Sequence, residues 1–305
     1  ANIGKTTVGG EPFTLSTFHL QGISLIVGKK GTGKSHLAKA LLLGLVDRGA
    51  YAIVFDINDE YSSMRLLKDE NRKSPYADKL VCLNPGEDLR FTLPYVGRDV
   101  FLSVLATLGI REDTPSGIEA RARFERLEQD GTLSFSSYKS NIEHDPALRS
   151  DIKDALSRRL GVLESCQIFT DKKKEAVTLE GVFSDLKKGG GLVVNLKAKS
   201  RLVRDIVVQT LLSKVQSLRE SAVKGEAGIP PIFLLAEEAH MYLGDAGGTR
   251  WDDVVTRMRH LGTYQFYMTN TPMDLPLLVI RQVDNLFLFH LANEADLRYV
   301  APAAK

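Results

Sequence analysis

Ile23-Ser24-Leu25-Ile26-Val27-Gly28-Lys29-Lys30-Gly31-Thr32-Gly33-Lys34-Ser35-His36 is the stretch that decides the fold. Its first residues, mostly apolar and ending on a glycine, read as a buried strand, and the spacing of apolar residues from Ser35 to about Asp47 reads as a helix. Between them lies the pattern G-x-x-x-x-G-K-[ST]. Glycines at 28, 31 and 33 leave backbone N–H groups free to converge on phosphate oxygens, which side chains would obstruct. Lys34 adds a positive charge in reach of the terminal phosphates. Ser35 offers a hydroxyl to a magnesium ion, and the helix turns its positive end toward the anion.

Outward from this loop, strand-length apolar runs recur at Tyr51 to Phe55, Leu192 to Leu196, Ile232 to Ala236, Tyr264 to Thr269 and Asn285 to Leu291, with helical patterns between them. Such alternation predicts an α/β fold, a mainly parallel sheet with helices on both faces. Runs like Ile232-Phe233-Leu234-Leu235 lack polar alternation, as expected of strands covered on both sides. From about Asp99 to Glu180 the strand signal fades, and Gly117 to Gln129 and Ala147 to Ser165 carry helical spacing. The expected organisation is a first core segment (1–98), a helical insertion (99–180) and a second core segment (181–305). Gly189-Gly190-Gly191 reads as a turn into the Leu192 strand, because no helix follows it directly. Lys172-Lys173-Lys174 reads as a solvated turn, with a phosphate-contacting surface as the alternative.

Composition narrows the class without choosing a partner. The formal charge is +2, from 40 basic and 38 acidic residues; this excludes neither nucleic acid nor a small molecule, since binding needs only a local basic surface. The two cysteines, Cys82 and Cys166, have no metal-ligand spacing and read as reduced thiols. No apolar run approaches the roughly 20 residues of a membrane span, and the start lacks the layout of a signal peptide, so a cytoplasmic protein without a membrane partner is expected. The abrupt start at Ala1 and the stop at Ala-Ala-Lys just after a strand suggest a piece of a longer protein.

A phosphate loop of this kind needs an acid at the tip of a neighbouring buried strand and a carboxylate to orient or deprotonate the attacking water. Leu235-Ala236-Glu237-Glu238-Ala239-His240 offers the pair. Glu237 is expected to face magnesium through water, with Ser35, and Glu238 to act as general base. A helix start with two exposed acids is the competing reading. Phe55-Asp56-Ile57-Asn58-Asp59-Glu60-Tyr61 places a second acidic cluster at a strand's carboxyl end, where Asp56 or Glu60 would touch the magnesium's water shell or a neighbouring subunit's nucleotide; a capped turn competes there too. His240 belongs to the turn after the strand rather than to a metal site. The implied cofactors are ATP and Mg²⁺, with Gly28, Lys29, Lys30, Gly31, Thr32, Gly33, Lys34, Ser35 and His36 around the nucleotide and Ser35, Glu237 and Asp56 around the metal.

Taken together, these segments resemble the HerA/FtsK superfamily of ring-forming, DNA-translocating ATPases, and HerA in particular. Asp56-x-x-x-Glu60-Tyr61 looks like that family's D-x-x-x-E-Y, Glu237-Glu238-Ala239-His240 its D/E-E-A-H, and Arg259-His260-Leu261-Gly262 its R-K-x-G. Thr269-Asn270-Thr271-Pro272 is similar to its T-Q-R-P, and Asn293-x-x-Asp296 to its N-x-x-D. Order and spacing agree over most of residues 1–98 and 180–305. Glu237 stands where Asp is commoner, Asn270 stands for Gln, and the family's N-terminal β-barrel has no counterpart before Ile23.

The resemblance implies a RecA-like P-loop core and makes Lys34 and Glu238 catalytic. It also makes Asn270 a polar sensor for the γ-phosphate and Arg259 an arginine finger serving a neighbouring subunit. Without it, Arg259 would be a helix-ending arginine after the helical pattern Trp251 to Arg259. It implies a homo-hexamer moving double-stranded DNA, working with a nuclease or another effector in end processing or antiviral defence. Lys197, Lys199, Arg201 and Arg204 are then the candidates for gripping phosphates, with an exposed helix start as the equal alternative. The other function classes are a P-loop ATPase that remodels a protein partner, and a conjugation or secretion ATPase.

Overall fold

A computed structural model describes residues 2–7, 9–67, 72–186, 188–241, 243, 258–291 and 293–304. The strands are β1 (Asn2–Lys5), β2 (Pro12–Thr14), β3 (Ile23–Val27), β4 (Tyr51–Asp56), β5 (Leu80–Leu83), β6 (Gly190–Asn195), β7 (Ile232–Ala236), β8 (Thr263–Thr269) and β9 (Asn285–Leu288). β1 and β2 form an antiparallel pair of their own. The other strands make one seven-stranded sheet in the order β5-β6-β4-β7-β8-β3-β9. β4 pairs with β6 and β7, and β8 with β7 and β3, all in parallel, as does β3 with β9. The expected α/β class is therefore present, and every residue of β3 and β7 is buried, as strands covered on both faces require. The larger shifts of bounds are at β6, which begins at Gly190 rather than Leu192, and at β9, which stops at Leu288 rather than Leu291; β4, β8 and the end of β6 move by one residue.

The chain divides into two compact units, one made of residues 1–82, 180–198 and 214–305, the other of 83–179 and 199–213. In the first, helix α1 (Lys34–Val46) follows the phosphate loop. Its Leu41, Leu42 and Leu45 are buried in one cluster with Ile26, Val54, Val193, Leu235 and Phe266 from the sheet. Burying a leucine side chain is worth about 2 kcal/mol, so this stripe fixes the loop to the sheet. The helix ends where Gly49 takes φ 77°, with the Ala50 N–H donating to Leu45 O at 3.1 Å. Gly189 approaches this turn so closely that a Cβ there would lie 2.4 Å from the Gly49 carbonyl carbon; of the glycine run expected as a turn, only Gly189 is one, and Gly190 and Gly191 already belong to β6.

The second unit is helical. Its helices are α2 (Leu93–Val96), α3 (Arg98–Thr107), α4 (Pro115–Gln129), α5 (Phe135–Glu143) and α6 (Ser150–Ser165); α4 and α6 stand where helical spacing was expected, whereas α2 precedes the expected start of the insertion at 99. Thr114 caps α4 through the Gly117 N–H, and Ser134 with Ser137 forms a capping box for α5. Phe101 packs against Phe124 and Tyr138, with ring centres 5.7 and 5.0 Å away. Lys172, Lys173 and Lys174 are exposed, as a solvated turn requires. Both cysteines are free thiols. Among the described residues no helix is long and apolar enough to cross a membrane.

Candidate active site

Parallel pairing in register brings the carboxyl ends of four neighbouring strands together. Val27 sits opposite Thr269, Ala236 opposite Tyr267, and Phe55 opposite Ala236. The residues that follow, Gly28, Asn270, Glu237 and Asp56, must then emerge at one end of the sheet, where open α/β folds bind ligands. A cleft of about 620 Å³ opens there, lined by Lys30, Gly31, Gly33, Lys34, Ser35 and His36 of the loop and α1, by Asn58 and Glu60 after β4, by Glu237 and Glu238 after β7, by Met268 of β8 and by Asn270 after it. That volume suits a nucleotide-sized ligand.

The loop is built for an anion. Gly33 takes φ 103° as it enters α1, a conformation a side chain would strain. Gly28 lies so close to the chain after β9 that a Cβ would come within 2.4 Å of Phe289 Cβ, and the Lys29 N–H donates to His290 O at 2.8 Å. Among the described residues the N–H groups of Lys30, Gly31 and Gly33 meet no hydrogen-bond acceptor within the protein. Three donors left open on either side of Thr32, whose own N–H donates to Lys29 O at 3.3 Å, fit a polyphosphate at this helix N-terminus. Lys34 Nζ donates to Gly28 O at 2.7 Å and Lys29 O at 3.1 Å, curling back under the loop. Burial lowers its pKa, opposed by Glu238, Glu237 and Glu60.

Opposite the loop the charge is negative, which fits a cation. Glu237 is only 3% exposed. Its Oε1 accepts from Ser35 Oγ at 3.4 Å and its Oε2 from Asn58 Nδ2 at 3.3 Å. Burial first, then the neighbouring Asp56 and Glu60, push its pKa up to about 8. A carboxyl crowded this way gains by sharing its charge with Mg²⁺, an ion normally held through one or two carboxylates, phosphates and water.

Asp56 does not line the cleft. It is fully buried, its Oδ1 accepting the N–H groups of Asn58 and Glu60 at 3.2 and 3.1 Å and its Oδ2 that of Tyr61 at 2.9 Å. The capped turn weighed from the sequence is thus formed, and it carries Asn58 and Glu60 into the cleft. Lys39, one turn along α1 from Ser35, pairs with Glu60 at 3.1 Å. Glu238 sits at φ 49°, unusual for a residue with a side chain, and its Oε1 faces Asn270 Nδ2 at 3.5 Å.

A family description, Helicase HerA, central domain, matches residues 20–215. The chain belongs to this family. It is a HerA-type P-loop ATPase, with ATP and Mg²⁺ as nucleotide and ion. Comparison with curated proteins finds no match. Among solved structures, VirB4 of Thermoanaerobacter pseudethanolicus is similar at a TM-score of 0.66 and 16% identity, covering 99% of this chain and 87% of that one. The bacterial conjugative coupling protein TrwB, in complex with sulphate, is similar at 0.56 and 16%, covering 98% and 72%. TrwB with ADP and Mg²⁺ gives 0.54 and 16% over 98% and 72%. At such identity the likeness is one of fold.

Arg259 of this HerA-type ATPase lies away from its own cleft. It occupies a short 3₁₀ turn, Met258–Leu261, before β8, at the amino end of the sheet; the preceding helical pattern at 251–257 falls outside the described residues. Its Nη1 pairs with Asp284 Oδ1 at 2.8 Å beside a separate hollow lined by Phe18, His19, His260 and Tyr264. β8 is seven residues long, and at about 3.3 Å per residue it holds Arg259 some 20 Å from Asn270. Three of the basic candidates after β6 face carboxylates: Lys197 meets Asp59 at 4.0 Å, Lys199 Glu87 at 3.1 Å, and Arg201 Asp205 at 3.8 Å. Asn58, Met268, Lys39 and Phe289 are the contributors that motif spacing missed. Asn58 stood inside the acidic cluster, and nothing local marked the other three.

Proposed function

We propose that this chain is the ATPase core of a ring-forming motor that translocates double-stranded DNA, with subunits arranged as a hexamer. The observation that carries the reading is the separation of Arg259 from the cleft: an arginine at the far end of the sheet can serve a nucleotide only if the nucleotide belongs to a neighbouring copy. The DNA track is supported by the family, whose name is that of a helicase, and by a solved relative that is a conjugative coupling protein. An effector such as a nuclease, in end processing or defence, would act with it.

In this reading Lys34 and the open N–H groups of the loop bind the phosphates, while Ser35 and Glu237 address the Mg²⁺ water shell. Bound Mg²⁺ neutralises charge on the β- and γ-phosphate oxygens. Glu238 Oε1 takes a proton from the attacking water as its oxygen bonds to the γ-phosphorus and the bridge to the β-phosphate breaks. Asn270 reports the γ-phosphate, and the neighbour's arginine stabilises charge that grows in the transition state.

Mixing subunits tests it. Arg259→Ala and Lys34→Ala chains, each inactive alone, should recover hydrolysis when combined, because an intact loop then meets an intact arginine across an interface. Mixed rings that form and stay inactive would remove the trans assignment.

A further inference from the structure

Glu238 Oε2 is buried and, among the described residues, has no hydrogen-bond partner. Leaving a charged oxygen so costs more than about 1–3 kcal/mol, so something must hold it there. His240 Nδ1 stands 3.6 Å away, and the same nitrogen lies 3.1 Å from Thr269 Oγ1. Thr269, the last residue of β8, is fully buried, and its Oγ1 accepts the Thr271 N–H at 3.0 Å. With the ring proton on Nδ1, that N–H donates to Thr269 Oγ1 and lies against the carboxylate oxygen. The His240 side chain is 24% exposed and is absent from the cleft lining, so it backs the glutamate rather than meeting the nucleotide.

We infer that His240 is a positioning residue for Glu238, anchored by Thr269: it keeps Oε2 turned inward and so leaves Oε1, beside Asn270, as the oxygen that meets the attacking water. The inference rests on the reading of Glu238 as general base. Without the imidazole the carboxylate is free to rotate and swing its buried oxygen toward the cleft, where Lys34 offers a charge-assisted bond. Such a pairing would consume the base without touching nucleotide affinity.

The test compares steady-state ATP hydrolysis by the full chain with its His240→Ala, His240→Asn and Glu238→Gln variants, alongside direct titration with a fluorescent ATP analogue. His240→Ala should lower kcat on the order of 10²-fold, the scale of a reacting group misplaced by an ångström. KM and analogue affinity should stay within about twofold, since uniform binding is untouched. His240→Asn, whose amide can sit where Nδ1 sits, should recover most of the loss. Glu238→Gln should lose at least as much turnover as His240→Ala, about 10²–10⁴-fold. Should Glu238→Gln lose turnover while His240→Ala turns over normally, the inference fails and the base assignment stands. If His240→Ala and His240→Asn lose kcat and affinity together, the histidine only supports the fold and the inference also fails. Normal turnover by Glu238→Gln would remove the base assignment itself.

Discussion

Asp56→Asn separates building the loop after β4 from touching magnesium. The substitution keeps the shape of a fully buried side chain that accepts three backbone N–H groups. In its better orientation the amide oxygen still serves Asn58 and Glu60, but the NH₂ group then points at the Tyr61 N–H, donor against donor. One orphaned buried N–H costs about 1–3 kcal/mol, and two charge-assisted bonds become neutral ones for roughly a further 1 kcal/mol. Removing a negative charge beside Glu237 returns part of this, so a net loss of about 2–3 kcal/mol is expected. Circular dichroism during urea and thermal unfolding reads it, and Mg²⁺-dependent binding of a fluorescent ATP analogue reads the site in parallel. The variant should unfold earlier yet, below its transition, bind the magnesium nucleotide within about threefold of the parent, an affinity change of less than 1 kcal/mol. Unchanged stability together with a tenfold loss of magnesium-dependent affinity would refute the reasoning and make Asp56 a partner of the metal shell.

Further consequences are equally direct. Lys34→Ala should abolish measurable nucleotide binding, whereas Glu238→Gln should bind ATP normally and slow hydrolysis by about 10²–10⁴-fold, as expected when a general base is lost; equal loss of binding in both would contradict the two roles. Arg259→Ala should depress turnover on the order of 10³-fold with little change in affinity, because the charge it stabilises develops mainly in the transition state; a matching fall in affinity would place it in ground-state binding. Glu237 holds its proton to about pH 8 when folded and to an ordinary carboxylate value when unfolded. Its favourable contribution is therefore complete at low pH and lost as pH rises toward and through 8. In nucleotide-free protein without divalent ions, Glu237→Gln should accordingly gain stability relative to the parent between pH 5 and 9 in thermal melts; a constant difference would refute the shift.

The parts of the fold that could be read from sequence are those set by local pattern. Ile23 to Val27 and Ile232 to Ala236 are uninterrupted apolar runs because both faces of those strands are covered. β5 (Leu80–Leu83) escaped because it is a four-residue strand at the sheet's edge, and β2 because its residues are exposed and carry no inside-outside alternation. At the site, the glycine loop and the paired glutamates announce themselves by composition. Pairing is what the sequence hides: Asn58 reaches Glu237 across 179 positions only because β4 and β7 are neighbours. Phe289 lies against Gly28 only because β9 flanks β3. Arg259 and Asp284 meet for the same kind of reason, since β8 and β9 enter the sheet on either side of β3.

In the proposed motor, ATP hydrolysis in the cleft drives movement along duplex DNA. Its most direct test is the ATPase rate of the assembled protein with and without linear duplex DNA across a salt series. Such a motor is stimulated by DNA of any sequence, and the stimulation fades steeply with salt, because a grip on several phosphates releases counterions and its affinity falls linearly on a log–log scale. A rate indifferent to duplex DNA at every salt concentration would contradict it and favour an ATPase that remodels a protein partner.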